Sequence, residues 1–201
     1  MAIKPILFNT AMVRAIRADE KTNTRRVISP EEVEAVLTSP CRLGNPDIPD
    51  SRFVEILCNT KYEKGDVLWV RENWAVAADL PGVSEAGFVY MADYSTFETV
   101  ELKRKHFRWR PSIHMPKEAA REFLLVTDVR AEPLQCIDKA GIRAEGIRGG
   151  YFENDPEGRG TFRRLWNSTC SEDKLSTCGW EANPWVSVIE FERCRRPEGF
   201  L

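Results

Sequence analysis

The apolar residues of this chain occur in short runs, and the length of these runs limits the folds that the chain can adopt. Two of these runs, residues 67–70 and 123–126, have the length of a β-strand, and every apolar run falls far below the roughly 18–20 residues that span a bilayer. Residues 185–192 form a further run in which the side chains alternate as they do in a strand. Turn residues separate these runs. The sequence therefore predicts a sheet and no membrane segment.

Helix start signals lie between the predicted strands. Thr10 can cap a helix from Ala11, and a capping box at residues 29–32 begins a helix that runs to Leu37. Residues 39–49 are typical of a loop. Shorter helices are predicted at residues 117–122, 138–145 and 162–166, and short strands at 53–57 and 88–90. The pattern predicts an α+β fold, a small mixed β-barrel decorated by short helices.

Composition narrows the class of protein. The chain has 201 residues, with 29 Lys and Arg against 31 Asp and Glu, and this balance argues against a histone-like protein or a polybasic membrane anchor. None of the six cysteines forms a CxxC pair, so we expect reduced thiols, no metal and no cofactor. The N-terminus does not have the pattern of a signal peptide, and we expect a single domain in the cytoplasm.

Lys21 and Thr24 form the first candidate site, where a helix gives way to extended chain. A threonine hydroxyl needs a neighbouring base, and a lysine can serve when burial or nearby cations lower its pKa. Arg25 and Arg26 supply such cations and could stabilise an oxyanion. In the alternative interpretation Lys21 compensates the helix dipole and both arginines are solvated.

Glu145 is the second candidate. It stands just before Gly146 at a predicted helix end, where the helix dipole favours cations over carboxylates. Such a position indicates either a function or an ordinary surface residue.

The third candidate is a basic and aromatic segment, residues 103–110. Basic side chains neutralise phosphates, and interleaved rings stack on bases. In the alternative interpretation the segment is a solvated strand whose aromatic residues face the core. Trp74 is a further candidate to line a cleft. The candidate nucleic-acid-binding residues here are Trp74, Lys103, Arg104, Lys105, Arg108, Trp109 and Arg110.

Several hydrolase and nucleotide-binding motifs are absent from the sequence. The two histidines, His106 and His114, lie eight residues apart without a GxSxG motif, so a serine–histidine–acid triad is excluded. Neither GxxxxGK[ST] nor GxGxxG occurs.

Four strings together resemble the ASCH domain of the PUA-like superfamily: KTNTRR at 21–26, GDVLWVRE at 65–72, residues 134–147, and NPWVSVIEF at 183–191. The strings WRPSIHMP at 109–116 and NPW at 183–185 are similar to the longer ASCH proteins of bacteriophages and prophages. The resemblance implies a PUA-like small mixed β-barrel with short helices over its openings, over residues 1–201. The two inserted segments would fall at about 29–60 and 73–116.

The resemblance also implies a chemistry. Short bacterial ASCH enzymes remove the acetyl group from N4-acetylcytidine with a lysine, a threonine and a glutamate. Lys21 and Thr24 match the first two in the same KTxTxR arrangement, and Glu145 matches the third when Leu134 and Ile137 are aligned with the start of the family's helix. In that mechanism Lys21 accepts the Thr24 proton, Thr24 attacks the acyl carbon, and Glu145 orients the lysine or protonates the leaving amine.

Three functions stay open at this point. The first is an amidohydrolase that acts on an N4-acylated cytidine-type base. The second is a non-catalytic RNA- or DNA-binding module, or a ribonuclease that uses the same basic cleft, because other ASCH relatives have these functions. The third is a phage accessory protein that binds a host protein through its inserts. The expected partners are RNA, single-stranded nucleic acid or a modified nucleoside.

Overall fold

The computed structural model describes residues 1–57, 61–80, 87–104, 107–148, 155 and 158–200. Helices and strands mix along the chain. The strands are β1 (Ile3–Leu7), β2 (Asn23–Val27), β3 (Val67–Arg71), β4 (Trp74–Val76), β5 (Phe88–Tyr90), β6 (Phe123–Pro133) and β7 (Trp185–Cys194). The α-helices are α1 (Thr10–Arg17), α2 (Pro30–Leu37), α3 (Pro40–Leu43), α4 (Asp50–Leu57), α5 (Thr96–Arg104), α6 (Lys139–Ala144), α7 (Arg159–Thr169) and α8 (Leu175–Cys178).

Five of these strands are hydrogen-bonded in the order β1-β3-β6-β7-β2, and β4 pairs with β5. The β1–β3 pair is parallel, whereas β3–β6 and β2–β7 are antiparallel, so the sheet is mixed. The α+β class is therefore confirmed. No ladder within the described part of the chain joins β1 to β2, so the closed barrel stays a prediction.

The chain divides into two compact units, and β6 and β7 each contribute residues to both. The first unit comprises Met1–Asp19, Asp66–Leu125 and Arg193–Leu201. Its main core packs side chains of β3 and β4 against the chain around Met115, the start of β6 and Phe200. A smaller cluster contains Ala75, Leu80 and Phe107. The apolar run of β3 was the clearest early strand in the sequence, and burial on both faces explains it.

The second unit comprises Glu20–Gly65 and Val126–Glu192. One core cluster joins α6, α7 and β7, and another joins α2, α4 and the buried Ala131 of β6. Ser29 begins α2 as the capping box predicts, because its hydroxyl accepts from the Glu32 amide at 3.4 Å. Asp138 likewise begins α6 by accepting from the Gly141 amide at 2.7 Å.

Four local predictions are wrong. The helix predicted at residues 117–122 is a single 3₁₀ turn at Lys117–Ala119, and residues 120–122 are not helical. Residues 53–57 form part of α4 instead of a strand, because Phe53 and Val54 pack against the buried residues of α2. Residues 40–43 form the short helix α3 in the predicted loop, with Ser39 as its cap. Asn9 caps α1, one residue before Thr10. No helix in the described ranges is both long and apolar enough to cross a membrane.

Candidate functional site

Residues 23–26 of the KTNTRR segment lie in β2, which pairs with β7 in an antiparallel ladder of the second unit. In β2, Thr24 lies opposite Ile189 and Arg25 lies opposite Val188. Successive side chains of a strand point to opposite faces. Thr24 and Arg26 therefore share one face of this ladder, and Arg25 lies on the other.

The backbone brings Lys21 next to Glu145. The two residues form an isolated antiparallel bridge, and the amide of Thr22 donates to the carbonyl of Ala144 at 2.8 Å. Glu145 is the residue after α6, so the short helix that Asp138 caps determines where its carboxylate lies. The sequence-predicted pair Lys21 and Glu145 is thus brought together although 124 residues separate the two positions.

Lys21 is buried, and its amine contacts the carboxylate that sequence reasoning selected. The side chain is 0% exposed, and its Nζ donates to Glu145 Oε2 and, at 3.3 Å, to the Glu145 carbonyl. Burial lowers the pKa of Lys21 because it disfavours the charged amine. Glu145 opposes this shift, while Arg26 and Arg25 add to it. A buried amine with a lowered pKa has the character of a general base.

Arg25 extends this contact into a chain of ion pairs. Its guanidinium lies 3.1 Å from Glu145 Oε1 and 2.9 Å from Glu132 Oε1. Glu132 in turn lies 3.5 Å from Arg130, which also pairs with Glu190. The predicted oxyanion role of Arg25 has to compete with two carboxylates. The sequence did not point to Glu132, because this residue lies in a strand whose apolar pattern indicates only packing and because it belongs to no recognisable motif.

Thr24 is buried in β2, but it is not joined to the other two candidates. The hydrogen bonds of the described residues include none between the Thr24 hydroxyl and either Lys21 or Glu145. Arg26, on the same face as Thr24, is half-buried and donates to the Arg25 carbonyl at 3.3 Å. Burial lowers the pKa of Arg26, and Tyr62 and Glu145 oppose that shift. The structure thus brings Lys21 and Glu145 together, whereas Thr24, the third member of the predicted trio, is buried in β2 and takes no part in that contact.

The basic and aromatic segment belongs to the first unit. Lys103 and Arg104 are exposed at the end of α5, and Arg104 pairs with Glu101. Arg108 and Arg110 are also exposed, and Arg110 pairs with Asp79 at 3.0 Å. Lys105 lies outside the described residues. The four described cations of this segment are therefore accessible, as phosphate contacts require.

The aromatic residues of that segment pack inward instead. Phe107 is buried, and the Trp109 ring meets it edge-on, with centroids 5.1 Å apart. Trp74 is 5% exposed; its ring meets Phe88 edge-on, and the Arg110 guanidinium lies over the ring. Rings in these positions have little face left for stacking on a base. These aromatic residues therefore face the core, as in the alternative interpretation of the segment.

Within the described ranges, no cluster of three or more His, Cys, Asp and Glu residues could hold a metal ion.

No protein family profile and no curated protein matches this chain. Among solved structures, the chain is similar to the high-resolution crystal structure of an ASCH domain from Lactobacillus crispatus JV V101, with 10% sequence identity and a TM-score of 0.43. The similarity covers 96% of this chain and 79% of that chain. Assignment of this chain to a family therefore stays a proposal.

Proposed function

We propose that the second unit carries a hydrolytic site in which Lys21 and Glu145 act on an exocyclic amide of a modified pyrimidine, such as N4-acetylcytidine. The observation that carries the proposal is the buried Lys21 amine in contact with the Glu145 carboxylate. A lysine that only compensates a helix dipole could do so equally well in solvent. Complete burial of the Lys21 side chain therefore favours a chemical role. The substrate class rests on the resemblance of the KTNTRR, LWVRE and NPWVSVIEF strings to ASCH domains.

The reaction assigned to this site is an acyl transfer to water. Neutral Lys21 accepts a proton from the attacking hydroxyl as the new bond to the acyl carbon forms. The lysine then delivers that proton to the amide nitrogen as the carbon–nitrogen bond breaks, which releases the amine. Glu145 holds the lysine in position through the contact already described. With Thr24 as the nucleophile, a water molecule cleaves the acyl-threonine by the same proton route.

The experiment measures release of cytidine from N4-acetylcytidine by liquid chromatography. We expect Lys21→Met to lower kcat by at least about 100-fold, the usual contribution of a positioned general base. Lys174→Met is the matched control, because Lys174 is an exposed lysine of the same unit, and it should keep the full rate. Urea denaturation establishes that both variants fold. Absence of deacetylation above that of Lys21→Met would refute the proposal.

A second pair of variants identifies the nucleophile. If Thr24 attacks the acyl carbon, Thr24→Ser keeps part of the rate, whereas the near-isosteric Thr24→Val loses it. If a water molecule attacks, both variants keep comparable rates. The assay is needed because Thr24 and Lys21 share no hydrogen bond in the structure.

The exposed cations of residues 103–110 favour a second candidate function, the binding of single-stranded RNA. This binding requires no catalysis. The same hypothesis includes that the chain is one of the longer phage or prophage ASCH proteins and that its sheet closes into a PUA-like barrel. A fluorescently labelled RNA oligonucleotide should bind the protein and bind Arg108→Ala more weakly. Arg163→Ala, which also removes an exposed arginine, should leave the affinity unchanged. Equal affinity for all three proteins would remove this candidate.

A further inference from the structure

A polar cavity of about 480 Å³ opens in the second unit between β2, β6, the end of β7 and α6. Its volume falls within the range of small-molecule sites. Thr22 and Ala144 line it, and these are the chain neighbours of Lys21 and Glu145. Neither Lys21 nor Glu145 lines the cavity, so a ligand of the cavity need not be the substrate of the proposed reaction.

One wall of the cavity carries an amide without a partner. Asn23 is 4% exposed, and its Oδ1 is buried without a hydrogen-bond partner. The hydrogen bonds of the described residues include none from the amide nitrogen of Asn23 either. Buried side-chain polar groups in native proteins are nearly always paired. A half-turn of this carboxamide exchanges its oxygen and nitrogen, so Asn23 can present either an acceptor or a donor to a ligand.

The charged residues of the cavity wall are predominantly acidic. Asp138, Glu190 and Glu192 line the cavity together with one basic residue, Arg130. The Arg130 guanidinium pairs with Glu190 and lies 3.5 Å from Glu132, which leaves it little capacity for a further anion. A phosphate in this cavity would therefore meet more carboxylate charge than guanidinium charge. The cavity favours a cationic ligand.

The spacing of the carboxylates selects between kinds of cation. In the part of the chain that the structure describes, no three acidic side chains converge closely enough to hold a metal ion. They are distributed around a volume that is much larger than a single ion. Several cationic groups along one flexible chain match such a distribution, because each ammonium group can meet its own carboxylate or the amide of Asn23.

We propose that this cavity binds a linear polyamine through the carboxylates of Asp138 and Glu192 and the carboxamide of Asn23. The assignment does not depend on the hydrolytic site. Spermidine is the probe, and isothermal titration calorimetry of the whole protein at low salt measures its stoichiometry and Kd. We expect one spermidine per chain, and weaker binding of putrescine, which offers one ammonium group fewer.

Glu192→Gln and Asn23→Ala should each raise the Kd for spermidine by about tenfold, since each removes one charged or polar contact. Glu172→Gln is the matched control, because Glu172 is an exposed glutamate of the same unit outside the cavity, and it should leave the Kd unchanged. Urea denaturation of each variant verifies the fold. Because Glu192 is exposed, Glu192→Gln keeps the test decisive should Asn23→Ala fail to fold.

Three results would overturn the proposal. An equal loss of affinity in Glu172→Gln would reduce the effect to general attraction by an acidic surface. No saturable heat with spermidine would show that the cavity has no such ligand. If Asn23→Ala weakened binding of cytidine monophosphate and left spermidine binding intact, the cavity would be a nucleotide subsite.

Discussion

At the scale of single residues, burial sets the protonation chemistry of Lys21. The pKa of this amine is lowered in the folded protein, chiefly by desolvation. In the unfolded chain a lysine titrates near pH 10.4. Between these two pKa values the unfolded chain binds more protons than the folded chain does. The contribution of Lys21 to the free energy of unfolding therefore rises with pH in this window.

The corresponding prediction compares pH 8 with pH 10. In Lys21→Met, the free energy of unfolding should lose the increase with pH that Lys21 contributes to the wild-type protein. Lys174→Met removes an exposed lysine and should keep that increase. Urea denaturation at both pH values measures the difference. The same pH dependence in Lys21→Met as in the wild-type protein would contradict it.

Sequence reasoning reached Lys21 and Glu145 but not the residues that surround them. The pair could be named because the KTxTxR string and the end of the helix after Asp138 are local patterns. Their contact, and that of Arg25 with Glu132, depends on how β2, β6 and α6 pack. Such packing is not encoded in any short string. The oddly placed carboxylate at the end of α6 was the one local sign of the contact.

At the scale of elements, Gly141 of α6 lies against the Arg25 side chain of β2. A Cβ at this position would lie 2.9 Å from Nη2 of Arg25 and 3.1 Å from Ile137. Arg25 can move away only by loosening its contacts with Glu132 and Glu145. The missing side chain of Gly141 therefore leaves room for the ion-paired guanidinium.

We expect Gly141→Ala to lower the free energy of unfolding by about 1–3 kcal/mol, the usual effect of overpacking. Helix propensity alone would give a gain of about 1 kcal/mol, so the sign of the change is informative. In an Arg25→Ala background the same substitution should cost less, because only the contacts of the new Cβ with Ile137 and Asp138 remain. Denaturation of the four proteins in this double-mutant cycle measures the coupling. A loss of equal size in both backgrounds would remove Arg25 from the explanation.

An ion network joins several elements of the first unit through Arg121. Its guanidinium pairs with both oxygens of Glu72, at 2.8 and 3.0 Å, and lies 2.6 Å from Asp93. The Glu72 side chain, just after β3, is 1% exposed. Burial raises the pKa of Glu72, and the contact with Arg121 opposes this shift. Without Arg121 the pKa of Glu72 would rise further.

Arg121→Met should therefore destabilise the protein by about 3–5 kcal/mol at pH 7.5, where Glu72 would be a buried carboxylate without its bidentate partner. The loss should shrink toward pH 5. Folded Glu72 then binds a proton that the unfolded chain does not yet hold, and this favours the folded state as pH falls. Arg163→Met breaks an exposed pair with Glu181 and should change stability by less than about 1 kcal/mol at both pH values. A loss in Arg121→Met that does not depend on pH would contradict this account.

At the scale of the whole molecule, hydrophobic periodicity predicted several strands but not the order in which the strands pair. The strands β3, β6 and β7 were found because their apolar runs are buried. β1 was missed because Lys4 and Pro5 interrupt its pattern, yet it pairs in parallel with β3. The helix α5 was missed because it buries no side chain and carries no apolar stripe. Strand order follows from long-range pairing, which alternation along one strand does not determine.

The net charge of −2 is a property of the whole molecule, and it does not show how many cations are available to bind a nucleic acid. Several arginines pair with carboxylates, as Arg17, Arg25 and Arg121 do. In residues 103–110, the described cations are Lys103, Arg104, Arg108 and Arg110, of which Arg104 and Arg110 have acidic partners. The described cations of this segment therefore support two to four phosphate contacts.

That number predicts how strongly salt weakens binding to single-stranded RNA. With a slope of about −0.7 per phosphate contact, log Kobs against log salt concentration should fall with a slope between about −1.4 and −2.8. The double variant Lys103→Ala with Arg108→Ala should reduce the size of that slope by about 1.4, since Lys103 and Arg108 are the described cations of the segment that pair with no described carboxylate. The double variant Arg163→Ala with Lys174→Ala is the control and should leave it unchanged. Fluorescence anisotropy between 50 and 200 mM salt measures the slopes, and an equal slope in all three proteins would show that RNA binds elsewhere.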